Sequence, residues 1–228
     1  MADHPFGSFA DDQLFEDRRD AGRRLAAKLR SRAGLAQAKN LLVLALPRGG
    51  VPVAYEVAKA LAAPLDVLVV RKLGVPGHEE LAMGAIASGG VRVLNESVIR
   101  GLNITAAVIE TVAEREGRTL RERERSYRGE RPWPALKGRT VILIDDGLAT
   151  GATMRAAVAA VRVQEPAKIV VGVPVASPET CEQVGAQVDE IVCAVMPPML
   201  TGVSQGYLDF SQTTDAEVRE LLQQEHSV

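Results

Sequence analysis

The chain has 228 residues, a length that suits one α/β domain with appendages. Its 27 basic and 29 acidic side chains nearly balance at a net charge of −2, so no overall basic field attracts nucleic acid. No apolar run approaches the roughly 20 residues of a membrane-spanning helix, and the acidic, polar start of the chain does not resemble a secretory signal. We therefore expect a cytoplasmic protein that does not bind a membrane.

The first predicted element is an amphipathic helix from Asp11 to Arg32. Leu14, Leu25 and Leu29 follow helical spacing, and acidic residues precede basic ones, as the helix dipole favours. We expect this helix to pack against the core as an appendage that occupies residues 1–35.

Cysteine usage indicates a reducing compartment. Cys181 and Cys193 stand in a chain without an export signal, and two cysteines without a nearby histidine are too few for a zinc site. We expect both to be reduced thiols.

A predicted buried strand, Leu41 to Leu46, runs into Pro47-Arg48-Gly49-Gly50, and a helix follows from about Val51 to Leu61. The backbone N–H groups of such a turn, together with one guanidinium, can bind an anion. A glycine turn with a solvated arginine is the alternative.

The run from Leu65 to Val70 predicts a third strand, which ends at Arg71-Lys72. The next segment, Gly74 to Glu80, has the glycine and proline content of a mobile loop. Three side chains of this loop, those of His78, Glu79 and Glu80, could transfer a proton in catalysis. The alternative is that they are solvated, as charged side chains of loops usually are.

A hairpin and a long helix follow. Gly89-Gly90 lies between two short apolar runs, which is typical of a two-residue hairpin turn. Ile104 to about Tyr127 reads as a helix, and residues 110–131 contain seven arginines and six glutamates. An RNA-binding patch is one interpretation, but the near balance of charge and the single aromatic favour a solvated face with ion pairs.

Residues 141–153 carry the strongest signal in the chain. Val141 to Ile144 predicts a strand buried on both faces, and Asp145 and Asp146 follow it directly. A turn rich in glycine and threonine then opens an Ala-rich helix from Met154 to Val163.

Each part of this segment suits a different chemical group. Unpaired backbone N–H groups and two hydroxyls at a helix N-terminus suit a phosphate, whereas the carboxylates suit sugar hydroxyls or a metal ion. Together they predict a site for a phosphorylated ribose. The segment lacks the GxxxxGK[ST] pattern of a Walker loop, and an ordinary strand-to-helix turn with solvated aspartates is the alternative.

Strands alternate with helices to the end of the predicted core. Lys168 to Val173 and Glu190 to Val195 are the remaining strands, with a short helix, Glu179 to Val184, between them. This alternation predicts an α/β fold with a doubly wound, mostly parallel sheet, whose ligands lie beyond the carboxyl ends of the strands. The Arg-Gly-Gly turn, the basic pair Arg71-Lys72 and the glycine turn after Asp146 are all suited to anions and all follow strand ends, so we expect them to converge. A helix from Asp215 to Gln223 closes the chain.

The segment VILIDDGLATGAT at 141–153 resembles the type I phosphoribosyltransferases. Their signature for 5-phosphoribosyl 1-diphosphate (PRPP) is an apolar strand, two acidic residues and a Thr-Gly-x-Thr loop, and every position is met. The resemblance covers most of residues 40 to 210 and implies a Rossmann-like core at 36–195 with a flap hairpin at about 73–95. Residues 196–228 would form a small hood and the C-terminal helix.

The resemblance also implies roles for individual residues. Asp145 and Asp146 would fix the ribose hydroxyls, with Lys72 as the third catalytic group, favoured over Arg71 because strand alternation sends the two to opposite faces. The 5′-phosphate would be bound by residues of one loop: Ala149, Thr150, Gly151, Ala152 and Thr153. The diphosphate would be bound by Arg48, Gly49, Gly50 and Lys72. The acceptor pocket would include Val175, Tyr207 and Phe210.

The implied reaction is displacement of diphosphate from PRPP by a nitrogenous acceptor, such as a nucleobase, with Mg²⁺ as cofactor. The ion would be carried mainly by substrate oxygens and water, with Asp145 and Asp146 as the available protein ligands. The stretch VPVASPET lacks the lysine of some 6-oxopurine enzymes, so the acceptor stays open. A PRPP-sensing regulator that binds nucleic acid or protein and a PRPP hydrolase are the alternatives. Relatives often pair, so we expect a homodimer.

Overall fold

A computed structural model describes residues 14–32, 35, 38 and 40–225. Helices and strands alternate along the chain, and a 3-10 turn follows the last strand. In chain order they are α1 (Arg18–Arg30), β1 (Leu41–Ala45), α2 (Gly50–Leu61), β2 (Leu65–Val67), β3 (Val70–Val75), β4 (His78–Ala87), β5 (Val91–Leu94), α3 (Glu96–Gly101), α4 (Ala106–Arg128), β6 (Thr140–Ile144), α5 (Ala152–Arg162), β7 (Lys168–Val175), α6 (Pro178–Gly185), β8 (Glu190–Val195), the 3-10 turn (Val203–Gly206) and α7 (Asp215–Glu225).

Five parallel strands form the central sheet in the order β2-β1-β6-β7-β8. The strands β1 and β6 read as unbroken apolar runs because helices cover both faces. Side chains of α1, α2 and α7 pack on one face, and those of α5 and α6 pack on the other. This arrangement confirms the predicted doubly wound α/β fold.

The register of the sheet determines where its loops emerge. Ala45 at the end of β1 pairs with Ile144 at the end of β6. The loops that follow these two strands therefore leave the sheet side by side, as expected for parallel strands with ligands at their carboxyl ends.

A second, antiparallel sheet of three strands, β3-β4-β5, packs against α4. The prediction of one strand from Leu65 to Val70 was wrong, because β2 ends at Val67 and Val70 begins β3 in this second sheet. Leu68 and Val69 are buried where the chain passes between the sheets. The apolar sequence from Leu65 to Val70 therefore has no polar break at the point where the chain leaves one sheet and enters the other.

The segment Gly74 to Glu80 is a tight hairpin and not a loop. Val75 pairs with His78 across a turn in which Gly77 has a φ of 80°, a conformation that glycine adopts at no steric cost. Residues 78–80 therefore belong to β4. The predicted hairpin at Gly89-Gly90 is confirmed.

The N-terminal helix begins at Arg18, later than predicted, because the Asp17 carboxylate caps it by accepting the backbone N–H of Asp20 at 2.7 Å. Residues 11–13 of the predicted helix lie outside the described residues. None of the described helices is long and apolar enough to cross a membrane.

The expectation of reduced thiols was wrong for this structure, in which Cys181 and Cys193 form a disulfide. The helix α6 packs beside β8, so the two sulfur atoms meet although 12 residues separate them in sequence. The sequence contained no signal for this packing.

The charged half of α4 is tied to the rest of the protein by ion pairs. Glu116 accepts two hydrogen bonds from Arg71, and Glu110 accepts one from Arg92. The most buried pair joins Arg128 to Asp66 on β2 at 3.0 Å. Glu124 stands four residues before Arg128 on the same helix, but Asp66 on the nearby strand is the partner of Arg128 and is buried with it.

Removing one partner of the buried pair should destabilise the fold. We expect Asp66→Ala to lower the free energy of unfolding by about 3–5 kcal/mol, because Arg128 is then buried without a counter-charge. Urea denaturation measures the change. Lys137→Gln is the control, since it removes one partner of an exposed pair with Glu165 and should cost at most about 1 kcal/mol. Equal losses in both variants would contradict the assignment.

Candidate functional site

Two loops meet at the carboxyl edge of the central sheet: the Arg-Gly-Gly loop (residues 47–50) after β1, and the acid pair (Asp145 and Asp146) after β6. A methyl group at Gly49 would overlap the Asp146 carboxylate, and one at Gly50 would lie 2.7 Å from the carbonyl oxygen of Ile144. Any side chain at either glycine would force the loops apart. The absence of a side chain at these two glycines thus allows the two loops to pack in direct contact.

The acid pair is held in a defined arrangement. The backbone N–H of Asp146 donates to Oδ1 of Asp145 at 2.9 Å, and Nε of Arg18 donates to Oδ2 of Asp146 at the same distance. The hydroxyl of Tyr207 donates to the carbonyl oxygen of Asp146 at 2.5 Å. The Asp146 carboxylate is therefore held by a side chain of α1, whereas the Asp145 carboxylate is held by the backbone of its own loop.

Burial sets the electrostatics of the acid pair. Burial raises the pKa of Asp145 well above its usual value, and the charge of neighbouring Asp146 raises it further. Burial also raises the pKa of Asp146, while the Arg18 guanidinium acts in the opposite direction. Holding two negative charges here therefore costs folding free energy, which is a common property of functional sites.

The loop predicted to bind the 5′-phosphate (residues 149–153, called the phosphate loop) leads from the acid pair into α5. Gly151, with a φ of 68°, occupies the N-cap position and supplies no side-chain cap, while the hydroxyl of Thr150 accepts the backbone N–H of Ala152 at 3.4 Å. The loop is exposed around Gly151. Backbone N–H groups at an open helix N-terminus are suited to an anion.

Two side chains that support the phosphate loop were missed by sequence reasoning. Oγ1 of Thr180, in the first turn of α6, donates to the carbonyl oxygen of Ala149 at 3.1 Å. Nη1 of Arg155 donates to the carbonyl oxygen of Thr150 at 2.8 Å. Arg155 lies one turn into α5, and this spacing was the only available signal for either residue.

Arg71 and Lys72 point in different directions, as strand alternation requires. Arg71 is engaged by Glu116 through two hydrogen bonds. Lys72 is partly exposed, and its Nζ lies 3.5 Å from a carboxylate oxygen of Glu80 on the neighbouring strand. Lys72 is thus the basic residue that a solvent-borne anion can reach, and its role with diphosphate stays a prediction.

Arg48 faces the C-terminal helix. Its Nη1 lies 4.0 Å from Oδ1 of Asp215, an oxygen that also accepts the hydroxyl of Tyr127 at 2.6 Å. Burial and the hydrogen bond to Asp215 raise the pKa of Tyr127 to about 12. The peptide bond between Pro47 and Arg48 is cis.

The residues expected to line an acceptor pocket are largely packed. Val175 is buried at the end of β7, and Tyr207 is buried between Phe15 and Phe210, with ring centroids 5.5 and 5.0 Å away. The guanidinium of Arg18 lies 3.9 Å from the centroid of Phe210. Their role toward an acceptor stays a prediction.

Three flap residues considered for proton transfer lie in the exposed part of β4. His78 and Glu80 are exposed, and Glu79 accepts the backbone N–H of Gly77 at 3.2 Å. Hydrogen bonds from its own backbone N–H and that of Gly77 lower the pKa of Glu79. Nothing in this arrangement brings the three toward the acid pair.

The described residues contain no group of three or more side chains arranged to hold a metal ion. The acid pair nevertheless fits Mg²⁺, which commonly uses one or two protein carboxylates and takes its other ligands from phosphates and water.

A model of the phosphoribosyl transferase domain matches residues 76–197, which is more than half of the chain. The chain belongs to the phosphoribosyl transferase family. Its sequence is 47% identical over 214 residues to curated relatives from two strains of Mycobacterium tuberculosis, whose names identify them provisionally as phosphoribosyl transferases.

The chain spans 47% of the length of those relatives, while the match covers 94% of its own length. A crystal structure from Thermus thermophilus is similar with a TM-score of 0.83 and 44% identity, and the match covers 92% of this chain and 98% of that one. The likeness extends beyond the matched domain to nearly all of the described fold.

The raised pKa of Asp145 has a measurable consequence for stability. The folded chain ionises this carboxyl less readily than the unfolded chain, so it loses stability as the pH rises above the ordinary value of 3.8. Asp145→Asn removes this cost and keeps the oxygen that accepts the Asp146 N–H. We expect the variant to be more stable than the parent at neutral pH, with the difference vanishing near pH 3.8, in urea titrations.

Asp209→Asn is the matched control. Hydrogen bonds from Ser211 lower the pKa of this exposed carboxyl, so its charge is favourable in the folded chain. This substitution should not stabilise the protein at any pH. An Asp145→Asn variant that is no more stable than the parent at neutral pH would contradict the electrostatic description.

Proposed function

We propose that the protein transfers the phosphoribosyl group of PRPP to a nitrogenous acceptor, such as a nucleobase, and releases diphosphate in the cytoplasm. The observation that carries this proposal is the direct contact of the Arg-Gly-Gly loop with the acid pair, beside the open N-terminus of α5. Groups suited to diphosphate, ribose hydroxyls and a 5′-phosphate thus lie on adjacent loops of one sheet edge.

In this reaction the bond from C1 of the ribose to the diphosphate oxygen breaks, a bond from the acceptor nitrogen to C1 forms, and the acceptor loses a proton. Positive charge develops on the sugar ring as the diphosphate leaves. Asp145 and Asp146 favour that charge, because they are fixed carboxylates in a partly buried site. Binding of the 5′-phosphate by the phosphate loop provides energy that can be used at C1.

The leaving diphosphate needs positive charge. Arg48 of the Arg-Gly-Gly loop and Lys72 of β3 are the partly exposed cations that we propose for this role, and each now faces a carboxylate that substrate would replace. Mg²⁺, held through Asp145, Asp146 and substrate oxygens, would neutralise further charge on the diphosphate.

A PRPP hydrolase, with water as the acceptor, is the second candidate. It is favoured by the packing of Phe210, since Arg18 covers one side of the ring and Tyr207 packs against it as well. An acceptor base would need a stacking partner that this ring does not freely offer. Both candidates use the same acid pair and phosphate loop. The homodimer stays a prediction in either case.

The test is diphosphate release from PRPP and Mg²⁺, measured with a panel of nucleobases and without any acceptor. We expect the parent protein to release diphosphate only when one particular base is present. Asp146→Asn should abolish this release, because one carboxylate that balances the positive charge on the sugar ring is lost. Lys59→Gln, an exposed control on α2, should release diphosphate as the parent does. Release without any base would establish the hydrolase instead. A parent protein that releases no diphosphate under any condition would refute both candidates.

The phosphate loop makes a separate prediction. Thr153→Ala removes a hydroxyl at the N-terminus of α5, and a hydrogen bond to a charged group contributes about 1.5–3 kcal/mol. We expect PRPP to bind at least about tenfold more weakly in isothermal titration calorimetry. Thr111→Ala, on the exposed face of α4, should bind as the parent does. Unchanged affinity in Thr153→Ala would show that this hydroxyl holds no phosphate.

A further inference from the structure

Arg18, the first residue of α1, lies against the acid pair with only 11% of its side chain exposed. Its Nε donates to Oδ2 of Asp146 at 2.9 Å, and its Nη1 donates to the carbonyl oxygen of Ser211 at 2.6 Å. Its guanidinium carbon lies 3.9 Å from the centroid of Phe210. Arg18 therefore links three parts of the protein: the N-terminal helix, the loop after β6, and the hood segment (residues 196–210). Its contact with the hood segment is at Phe210, and Ser211 directly follows that segment.

The two carboxylates of the acid pair differ in what holds them. Asp146 has a side chain that is 16% exposed, and it is held by Arg18 on the carboxylate and by Tyr207 on the carbonyl oxygen. Asp145 receives one hydrogen bond on Oδ1, and its other carboxylate oxygen has no partner among the described residues. Each carboxylate thus accepts one hydrogen bond from another residue and keeps its second oxygen for a ligand, but only Asp146 is held by a side chain of a distant element.

We propose that Arg18 is a positioning residue for the acid pair, which fixes the Asp146 carboxylate and links it to the hood while the second oxygen of each carboxylate stays open to substrate. This inference rests on the proposed transfer from PRPP. A charge-assisted hydrogen bond restricts the orientation of a carboxylate. A carboxylate that is already oriented need not reorganise when positive charge develops on the sugar.

This role predicts a particular kinetic effect. Arg18 does not need to touch PRPP, so its loss should change the affinity for PRPP little. It should instead lower kcat, because the fixed orientation of Asp146 matters most in the transition state. A residue that only stabilised the fold would alter the amount of active protein, and active-site titration corrects for that.

The experiment compares Arg18→Met and Arg18→Lys with the control Arg23→Met, in assays with PRPP, Mg²⁺ and the accepted base or water. Arg23 is an exposed arginine of the same helix that also faces a carboxylate, that of Asp20 at 3.6 Å. We expect Arg18→Met to lower kcat by on the order of tenfold or more with KM for PRPP changed by less than about threefold. Arg18→Lys should recover part of kcat because it keeps the charge, and Arg23→Met should match the parent.

A double-mutant cycle tests the ion pair without any turnover. Arg18→Met, Asp146→Asn and the double variant are unfolded in urea. We expect the shift in the double variant to be smaller than the sum of the single shifts, since the second substitution removes an interaction already lost. Additive shifts would overturn the pairing. Should Arg18→Met fail to fold, Arg18→Gln replaces it in the cycle and in the assay because it also removes the charge, and parent-like kcat in Arg18→Gln would then overturn the positioning role.

The outcomes separate the two claims. If the parent protein turns over no PRPP, the proposed function fails, and the role of Arg18 fails with it. If the parent is active and Arg18→Met keeps its kcat, only the positioning role is overturned.

Discussion

Gly49 approaches the Asp146 carboxylate so closely that no side chain fits between them. This approach is possible because β1 and β6 are adjacent, parallel and in register up to Ala45 and Ile144. Their loops consequently emerge at one level and can bring a backbone turn against two carboxylates. A backbone turn suited to anions and a carboxylate pair suited to hydroxyls or cations thus lie in contact with each other. A substrate that carries both phosphate and sugar requires such an arrangement.

The acid pair makes this edge costly to build. Burial and mutual repulsion raise the pKa of Asp145, and burial raises that of Asp146. Arg18 offsets part of the cost from α1, 128 residues away in sequence. Because Phe15, Tyr207 and residues of α7 share one apolar cluster with the sheet, segments before β1 and after β8 both pack against the sheet that carries the acid pair.

The central elements can be predicted from the sequence because their signals are local. The buried strands, the acid pair and the glycine turn at Gly151 follow from apolar runs and backbone chemistry within a few residues of one another. The passage of the chain between the two sheets at Leu68 and Val69 was missed because these residues are buried like the strand before them, so their sequence is equally apolar. The Cys181–Cys193 disulfide was missed because it depends on packing between α6 and β8.

Arg18 shows most clearly what a sequence pattern cannot supply. Its helix was recognised as amphipathic, and its arginines could have reached a phosphate, but no spacing rule connects a residue at the start of the chain to a carboxylate after β6. The structure reveals that the Arg18 side chain, at the start of this helix, faces the acid pair and is mostly shielded from solvent. A helix that would count as an appendage by its position in the sequence therefore orients a carboxylate that the proposed chemistry uses.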